Sequence, residues 1–536
     1  MTGEAWVCYI QPMDNSLTVG FSLSQDWIAD KEAVVFGVFE GEDIPCGLGF
    51  KKETAEREAR HLFPIFAAVK HYCSHKDFLG KLGETAVLYP ENVLYKRVIL
   101  CGLGKKDDLD TEKLRSAAAA AAALAKKMNA GKISFTLFGA PAQDATARLR
   151  AIFEGAALGL YSFDAYKKEK EDVARQIKKT EAVEFLLPEI MEEKEVAGER
   201  ARLEKYLAIA EAVYFARNLS NHPASVVTPK FLAETAEALS KQYEGVVCEI
   251  FDKQKLAELG MNGILAVGGG SAHEPVLIEL VYKTPEENAP TVALVGKGVC
   301  FDSGGISLKP SDGMDEMKMD MAGAAAVLGA FFTAVKSKLP VNLVTLVPAV
   351  ENMPSSKSYR PGDIVKTMSG KTIEVANTDA EGRIILADAL YYAVAKHNPT
   401  HLVDLATLTG ACVGALGNHY AAVLGNDDAL IRRLIEVGAS TGEKLWMMPL
   451  DDVYKKQIES AVADVKNIGQ KNNAGAITAA LFLKEFIGDH KSFAHIDIAG
   501  TAMLPEAHGY RNKGGTGFGA RLLMEFLENL TKRNQV

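Results

Sequence analysis

The chain is 536 residues long, with 48% hydrophobic and 24% charged residues and a net charge of -9 at pH 7, which predicts two domains of unequal size. We find no apolar run near the roughly 20 residues needed to cross a bilayer and no charged-then-apolar leader, so we expect a soluble, cytoplasmic protein. The acidic charge is spread along the chain and repels phosphate backbones and anionic membranes, which excludes nucleic acid and the membrane as default partners.

The first part of the chain alternates strand-like and helical patterns. Runs at Ala33 to Phe39 and Arg97 to Leu100 predict strands, and the alanine-rich segment Ser116 to Lys127 predicts a helix. The turn Gly102-Leu-Gly-Lys-Lys106 lacks both the P-loop spacing and the third glycine of a dinucleotide fingerprint, so a plain strand-to-helix turn is favoured over a phosphate loop. We predict an N-terminal α/β domain, macro-domain-like, over residues 1–193.

A charged stretch and a helical pattern follow. Residues 164–205 are dense in lysine and glutamate, and from Glu192 the apolar residues recur with helical spacing as far as Ala216. Asn221-His-Pro223 and Thr228-Pro229 then supply turn and cap residues that end a helix. We predict a connecting helix over residues 194–218 and a larger C-terminal domain over residues 219–536.

The C-terminal part alternates apolar strands with helices. Helical patterns lie at Lys253 to Gly260 and from about Met321. Strand patterns lie at Val246 to Phe251, Val276 to Tyr282, Val292 to Val295, Val341 to Val347, His401 to Leu405 and Ala494 to Ile498. Strands this apolar predict a mixed central sheet flanked by helices on both faces. The fold class is therefore α/β.

Two loops after predicted strands carry an unusual density of charged side chains. The first runs from Gly296 to Asp320, and the second, Asn377 to Arg383, precedes an apolar helix at Ile384 to Ala395. Together they present Lys297, Asp302, Lys309, Asp320, Asp379, Glu381 and Arg383. Ligands of such sheets gather at loops that leave the carboxyl ends of strands. Buried acidic groups need compensating charge, and four carboxylates offer enough oxygen ligands for two divalent ions.

Each of these residues also has a purely structural interpretation. Asp302 is a plausible turn former, Asp320 a helix N-cap, Asp379 and Glu381 a solvated capping pair, and Lys297 a surface charge. The spacing of the residues along the chain does not prove that they converge. Both interpretations stay open at this level.

Two segments carry a resemblance to a known family. Lys297-Gly-Val-Cys-Phe-Asp-Ser-Gly-Gly305 and Asn377-Thr-Asp-Ala-Glu-Gly-Arg383 closely resemble the signature segments of the M17 leucyl aminopeptidases. Further similar segments are Asn221-His-Pro-Ala224, Ala406-Thr-Leu-Thr-Gly410, Asp464-Val-Lys-Asn467, His495-Ile-Asp-Ile-Ala-Gly500 and Gly514-Gly-Thr-Gly-Phe-Gly519. The resemblance covers about Arg217 to the C-terminus, and the part before it is similar only in its general α/β character.

The resemblance implies a metal-dependent aminopeptidase that releases leucine and other bulky apolar residues from peptides. It implies Lys297, Asp302, Asp320 and Glu381 as ligands of one ion, and Asp302, Asp379 and Glu381 as ligands of the other. It further implies Lys309 and Arg383 as the catalytic pair, and Met317, Thr407 and Gly410 as parts of the pocket for the first substrate side chain. One more residue than the family pattern leads us to expect separates Arg383 from Ala406.

The resemblance also implies cofactors and an assembly. We expect two divalent ions per subunit, Zn2+ or Mn2+ with Mg2+ or Co2+ as alternatives, because oxygen-rich sites with one amine accept all of these. We also expect a homohexamer. Four carboxylates that all bind metal leave no free general base, and the family's bicarbonate, held by the guanidinium fork of Arg383, fills that role.

The two lysines are expected to differ in charge. A lysine ligates a metal only through its neutral amine, so bound dications together with burial should depress the pKa of Lys297. Lys309 should stay charged and stabilise the oxyanion that forms at the scissile carbonyl. The histidines His222 and His495 stand in turn or apolar contexts, where packing is a commoner role than ligation.

The cysteines do not suggest disulfides or a thiolate site. Seven of them lie far apart without a CxxC pair, at Cys8, Cys46, Cys73, Cys101, Cys248, Cys300 and Cys412. They predict reduced thiols. Cys300 lies near the charged loops but continues an apolar strand, so a buried thiol is favoured over a nucleophile.

Two other functional classes compete with the enzyme. A non-catalytic or regulatory protein on the same scaffold would be expected to have lost ligands, and every ligand position is filled here. An N-terminal module that binds nucleic acid or a nucleotide conflicts with the acidic charge. Metal analysis with leucyl-amide hydrolysis separates the first from an enzyme, and salt-dependent gel shifts test the second.

Overall fold

The structure is a computed structural model and describes residues 20–24, 31–43, 45–46, 52–91, 95–140, 144–167, 180–187 and 191–533. Contacts divide these residues into two compact units. One comprises Ala212–Pro505 and the chain from Gly514 onward, and the other comprises the described residues up to Glu211 together with Glu506–Lys513. The division falls inside a long helix, Glu193–Asn221. The domain boundaries at 193/194 and 218/219 stay a prediction.

The N-terminal unit is built on a six-stranded sheet in its described part. The strands, in chain order, are β1 Gly20–Ser24, β2 Lys31–Val38, β3 Thr85–Leu88, β4 Tyr95–Gly102, β5 Lys132–Thr136 and β6 Ala182–Leu186. Their order in the sheet is β1-β6-β5-β2-β4-β3. All neighbours are parallel except β3 and β4. Buried apolar side chains of β2, β4 and β5 form the core of this α/β unit.

Helices of the N-terminal unit are α1 Lys52–Ser74, α2 Thr111–Lys127, α3 Ala145–Gly159 and the first part of α4 Glu193–Asn221. A single-turn 3-10 helix lies at Lys106–Asp108. Helices α2 and α3 pack closely because alanines meet glycines: a Cβ on Gly155 would lie 2.2 Å from the Arg115 carbonyl oxygen. The alanine run therefore serves helix packing.

The glycine turn after β4 is packed against backbone. A Cβ on Gly102 would lie 2.0 Å from the carbonyl oxygen of Lys81, and the Gly104 amide donates to the Gly80 carbonyl at 2.8 Å. Nearby, a Cβ on Gly37 would lie 2.6 Å from Phe138. These contacts give the glycines a role in close chain packing, which supports the turn interpretation over a phosphate loop.

The C-terminal unit, which comprises Ala212–Pro505 and the chain from Gly514 onward, contains a mixed nine-stranded sheet in its described part. Its strands are β7 Val246–Phe251, β8 Val276–Tyr282, β9 Thr291–Gly296, β10 Gly298–Asp302, β11 Asn342–Asn352, β14 His401–Ala406, β15 Ala421–Gly425, β16 Leu445–Met447 and β18 Phe493–Asp497. The order is β16-β15-β18-β14-β9-β11-β8-β7, with β10 also paired to β11. The central strands β9, β11, β14 and β18 are parallel. The predicted α/β class with a mixed sheet is confirmed.

Two small sheets complete the unit. One has three strands, β12 Ile364–Lys366, β13 Thr372–Glu374 and β17 Val465–Lys466, and the other has two, β19 Met503–Leu504 and β20 Gly514–Gly515. The helices are α5 Pro229–Ser240, α6 Lys253–Glu258, α7 Asn262–Gly268, α8 Ala322–Lys336, α9 Gly382–Tyr392, α10 Gly410–Leu416, α11 Asp428–Thr441, α12 Gly475–Lys484 and α13 Ala520–Arg533. Further 3-10 helices lie at Met314–Met319 and Asp452–Ile458.

The 3-10 helix Met314–Met319 and helix α8 together form a helical segment, Met314–Lys336. Among the described residues, it is the one helical segment that is long and apolar enough to cross a membrane by length and composition. Its existence corrects our expectation that no apolar run reaches such a length. The most apolar window of this segment is 89% buried inside the protein. It is therefore a core helix, since its apolar faces are covered by the sheet and by other helices.

A π-helical turn, Ala393–His397, follows helix α9 directly and ends at Asn398, which has a positive φ of 41°. A π-helical turn is wider than an α-helical one and accommodates an additional residue inside a helix. It lies between Arg383 and Ala406, the interval in which the sequence has one residue more than expected.

Candidate metal centre

The charged side chains of the two loops are brought together at the carboxyl ends of the central strands. Lys297 directly follows β9, and Asp302 is the last residue of β10. Asp379 and Glu381 lie just before helix α9. Single carboxylate oxygens of Asp302, Asp379 and Glu381 lie within 4.8 Å of one another. Asp302 also acts as a turn former, since its Oδ1 accepts from the Gly304 amide at 2.9 Å, whereas Glu381 makes no side-chain capping bond.

Lys297 lies between two carboxylates. Its Nζ is 2.7 Å from Oδ1 of Asp320 and 2.9 Å from Oε1 of Glu381, and it donates to the Thr407 carbonyl at 2.8 Å. Burial alone would lower the pKa of Lys297, but the surrounding carboxylates outweigh burial and raise it. In the chain by itself the amine is thus an ammonium. The neutral amine expected of a ligand requires that bound cations reverse this balance.

Lys309 lies beside the other pair of carboxylates. Its Nζ is 2.8 Å from Oδ2 of Asp302 and 2.5 Å from Oδ1 of Asp379. Burial acts to lower the pKa of Lys309, and the attraction of these two carboxylates exceeds that effect and raises it. The side chain keeps about a fifth of its surface exposed. Lys309 therefore stays protonated at neutral pH and remains accessible from solvent.

The carboxylates are crowded, and burial opposes their charged forms. Burial raises the pKa of Asp320 well above its usual range even though Lys297 opposes it, and burial likewise raises the pKa values of Asp379 and Glu381. Oδ2 of Asp320 is buried without a hydrogen-bond partner among the described residues. An unpartnered buried oxygen beside three clustered carboxylates and one amine is a donor set that suits divalent ions. The residues present fit the expected metals.

Arg383 is buried at the start of helix α9, and its Nε has no hydrogen-bond partner among the described residues. Burial lowers the pKa of Arg383 to about 10, against the opposing effect of Glu381 and Asp497. The guanidinium is still charged at neutral pH. A buried, charged guanidinium with an unpartnered donor fits a planar oxyanion such as bicarbonate.

The three expected pocket residues differ in their surroundings. Thr407 is buried, and its hydroxyl donates to Oδ1 of Asp320 at 2.6 Å. Met317 is half-buried in the 3-10 helix, where its carbonyl accepts from the Asp320 amide. Gly410 is exposed as the first residue of helix α10. Thr407 therefore also orients a carboxylate of the cluster, whereas Gly410 is connected to it here only along the chain.

Several residues that the sequence did not single out join the two loops. Asn352, the last residue of β11, donates from Nδ2 to Oδ1 of Asp302 and to the Thr378 carbonyl. The Thr378 hydroxyl donates to the Gly304 carbonyl and accepts from the Ser307 amide. The Tyr359 hydroxyl also donates to the Thr378 carbonyl. The polar ending of the apolar strand β11 was a usable signal for Asn352, but no sequence pattern pointed to Tyr359.

The histidines and cysteines have packing roles. His495 is buried with its Nδ1 2.7 Å from Oδ1 of Asp404 on the adjacent strand. Burial lowers the pKa of His222 to about 4. Burial raises the pKa of Cys300 well above its usual range, so it is not a nucleophile. The described cysteines are free thiols, as predicted, and Cys8 lies outside the described residues.

Comparisons with known proteins place the chain in a family. The sequence profile of the catalytic domain of the cytosol aminopeptidase family matches residues 214–524, and the profile of its N-terminal domain matches residues 46–170. The second match extends the likeness into the part that had shown only a general α/β character. The probable cytosol aminopeptidase of Geobacter sp. (strain M21) is 46% identical over 84% of this chain and 90% of that protein.

Solved structures show the same likeness. A point mutant of tomato leucine aminopeptidase superposes with a TM-score of 0.82 at 33% identity, covering 95% of this chain and 96% of that one. The bottromycin maturation enzyme BotP, in complex with Mn, superposes with a TM-score of 0.79 at 33% identity, covering 94% of this chain and all of that one. The similarity therefore extends over both units of the chain.

Proposed function

The chain belongs to the cytosol aminopeptidase family and is a metal-dependent aminopeptidase, and from this premise we propose that it releases leucine and other bulky apolar residues from the amino termini of peptides by a two-metal mechanism. The observation that carries the proposal is the convergence of Asp302, Asp379 and Glu381, with Asp320 joined to them through Lys297. Together with Lys297, these side chains provide enough ligands for two ions, some of them shared.

The proposed division of ligands between the two ions is the one that the family resemblance implies, with Asp302 and Glu381 shared by both. We propose that Lys297, Asp302, Asp320 and Glu381 hold one ion and that Asp302, Asp379 and Glu381 hold the other. Two divalent ions supply a hydroxide nucleophile at neutral pH and Lewis acidity toward the scissile carbonyl. The Thr407 carbonyl, which accepts from Lys297 at 2.8 Å, keeps the amine pointed into the cluster.

Lys309 stabilises negative charge on the substrate. Its ammonium is kept protonated by Asp302 and Asp379, while part of its surface faces solvent. It can therefore donate a hydrogen bond to the scissile carbonyl oxygen, and this bond strengthens as that oxygen gains charge in the tetrahedral intermediate. The fixed position of Lys309 between two carboxylates limits the reorganisation that this donation needs.

Arg383 holds the group that moves protons. All four carboxylates are assigned to metals, so none remains free as a general base. The buried Arg383 guanidinium, whose Nε has no hydrogen-bond partner among the described residues, would hold a bicarbonate, and that anion would supply the proton acceptor and donor that the hydrolysis needs. The charge of Arg383 persists at neutral pH because its pKa stays near 10.

The identity of the metals is narrowed by the donor set. One amine and several carboxylates suit Zn2+ and Mn2+, and they leave Mg2+ and Co2+ as alternatives. The structural neighbour BotP was solved with Mn. We propose Zn2+ or Mn2+ as the working ions of this chain.

The assembly and the compartment are part of the proposal. Large apolar side chains are exposed on the catalytic unit, among them Trp446 and Met447 on the edge strand β16 and Val453 and Val462 nearby in sequence. Exposed apolar side chains of this kind mark protein interfaces. We propose that they are covered by copies of the same chain in a cytoplasmic homohexamer.

Matched substrates test the proposed activity. Leucyl-amide, glycyl-amide and N-acetyl-leucyl-amide are compared at equal concentrations with Mn2+ or Zn2+ present. We expect leucyl-amide to be hydrolysed at least about tenfold faster than glycyl-amide, since burying a leucine side chain contributes about 1.5 to 3 kcal/mol, and no hydrolysis of the acetylated substrate. Equal rates for the free and the acetylated substrate would contradict an exopeptidase, and faster hydrolysis of glycyl-amide would contradict the apolar preference.

A further inference from the structure

The segment Asp464-Val-Lys-Asn467 has no part in the mechanism described above, yet it is hydrogen-bonded to the loop Asn377 to Arg383, which carries Asp379 and Glu381 and is called the acidic loop below. Its two central residues are strand β17, which pairs in parallel with β13 in the register Ile373 to Val465 and Glu374 to Lys466. The Asn467 amide continues this pairing by donating to the Glu374 carbonyl at 3.1 Å. Asn467 itself is fully buried.

Beyond Glu374 the chain leaves β13 and becomes the loop that carries Asp379 and Glu381. Backbone groups in such a loop have lost their strand partners and need others when they are buried. The side-chain amide of Asn467 supplies them. Its Oδ1 accepts from the amides of Ala376 and Asn377 at 2.8 and 3.3 Å, and its Nδ2 donates to the carbonyls of Asn377 and Ala380 at 2.6 and 3.3 Å.

The last of these contacts places the asparagine beside the metal centre. Ala380 stands between Asp379 and Glu381, so the carbonyl that Asn467 contacts belongs to the peptide group that joins Ala380 to the proposed ligand Glu381. A primary amide is the side chain that can donate and accept in the same plane, as a peptide group does. Neither a carboxylate nor an alkyl group of similar size can satisfy all four backbone groups.

The other end of the segment is anchored as well. Oδ2 of Asp464 accepts from the amide and from the hydroxyl of Thr372 at 2.7 and 2.8 Å, and the Asp464 amide donates back to that hydroxyl at 3.0 Å. Thr372 is the first residue of β13. Asp464 therefore anchors the start of β17 to β13, and Asn467, which follows the end of β17, is hydrogen-bonded to the acidic loop.

We infer that Asn467 is a positioning residue of the metal centre, which holds the backbone from Ala376 to Ala380 so that Asp379 and Glu381 present their carboxylates to the ions. Groups that orient metal ligands typically change metal affinity or activity by about 10- to 100-fold when they are removed. A role confined to folding would lower stability and leave the affinity of the folded chain unchanged. This inference rests on the proposed metal centre.

The test measures metal binding without turnover. Metal-free wild-type chain, Asn467→Asp and Asn467→Ala are titrated with Mn2+ by isothermal titration calorimetry, and the folded fraction of each is measured by far-ultraviolet circular dichroism. Asn467→Asp keeps the size and the acceptor but loses both donated bonds, and Asn467→Ala loses all four. We expect the Mn2+ affinity per folded chain to fall at least about tenfold in both.

Asn342, the first residue of β11, provides a matched control. Its Oδ1 accepts from the Thr284 amide and its Nδ2 donates to the Ala289 carbonyl, both at 3.2 Å, so it also fastens a loop by its amide. Asn342→Asp should lower stability and leave Mn2+ affinity as in wild type. A wild-type affinity per folded chain in either Asn467 variant overturns the inference. A wild-type chain that binds no Mn2+ overturns the proposed metal centre instead.

Discussion

Lys297 and Lys309 both lie among carboxylates, but their surroundings give the two amines different roles. Lys297 is almost fully buried and contacts oxygens of Asp320, Glu381 and Thr407, so it has no room for substrate. Lys309 contacts two carboxylates and is partly open to solvent. A buried amine that meets a metal can become a ligand, whereas an accessible ammonium can meet the substrate.

Replacing Lys309 tests its part at the residue scale. We expect Lys309→Ala to lower kcat for leucyl-amide by about 100-fold or more, because a donor to the forming oxyanion is lost. Its metal content should stay close to that of wild type, since Lys309 is not a proposed ligand. The control is Lys357→Ala, which removes an exposed lysine. Steady-state kinetics with metal analysis decide the matter, and a kcat within threefold of wild type would exclude the assigned role.

His222 is expected to make the fold sensitive to acid. Burial, assisted by the nearby Lys318, lowers the pKa of His222 from 6.5 to about 4, so the folded chain keeps this side chain neutral where the unfolded chain takes up a proton. Stability therefore rises with pH between about 4 and 6.5 and is lost as pH falls through that window. The loss is on the order of 2 kcal/mol.

Urea unfolding of the wild type and of His222→Gln at pH 6.5 and pH 4.5 checks this expectation. Glutamine keeps polar contacts but does not titrate. We expect the wild type to lose more free energy of unfolding between the two pH values than the variant, because other acid-sensitive groups act equally in both. Equal losses would show that His222 is protonated as readily in the folded chain as in the unfolded one.

Residues that contact ions or substrate were accessible to sequence reasoning, and the residues that orient them were not. Asp302, Asp379 and Glu381 stand in glycine-rich loops where charge is conspicuous, and the structure brings them together. Asn352 and Asn467 act through hydrogen bonds to backbone groups far away in sequence. The polar end of β11 marked Asn352 and the family resemblance marked the segment of Asn467, but neither signal showed which backbone groups these side chains contact.

At the scale of elements, the metal centre depends on how closely helix α8 approaches the sheet. A Cβ on Gly323 would lie 2.2 Å from the Leu405 carbonyl oxygen, and a Cβ on Gly296 would lie 2.5 Å from a methyl of Val327. Helix α8 begins two residues after Asp320, and β9 ends directly before Lys297. The two glycines therefore allow the contact between Lys297 and Asp320.

Gly323→Ala should push helix α8 away from strand β14. We expect it to lower the free energy of unfolding by about 1 to 3 kcal/mol, because the methyl group meets rigid backbone. Gly414→Ala is the matched control, since that helical glycine has open space around it, and alanine should stabilise helix α10 there by about 0.5 to 1 kcal/mol. Urea midpoints of both variants give the comparison. A Gly323→Ala chain as stable as wild type would show that the helix shifts freely.

Long apolar elements were predicted well, and short ones were missed. Strands β7 and β8 have the bounds that the apolar runs gave. The three-stranded sheet of β12, β13 and β17 was not foreseen, because strands of two or three residues have no recognisable period. The connecting helix was expected to end by Asn218 but continues to Asn221, because helix ends depend on local capping contacts.

At the scale of the whole molecule, the proposed assembly can be measured directly. Exposed fractions of 60% for Trp446 and 72% for Val453 are high for large apolar side chains, and covering them would stabilise an oligomer. We expect light scattering of the purified chain to give a mass of six times 57.8 kDa. A measured mass of 57.8 kDa at micromolar concentration would contradict the hexamer and leave the proposed metal centre untouched.

Titration of metal into the metal-free chain tests the central claim most directly. Metal is removed by chelation and dialysis, Mn2+ or Zn2+ is added in substoichiometric steps, and leucyl-amide hydrolysis is measured beside metal content per chain. The two-metal site formed by Asp302, Asp320, Asp379, Glu381 and Lys297 predicts no turnover without metal and full activity at two ions per chain. Undiminished hydrolysis by the metal-free chain, or full activity at one ion per chain, would contradict it.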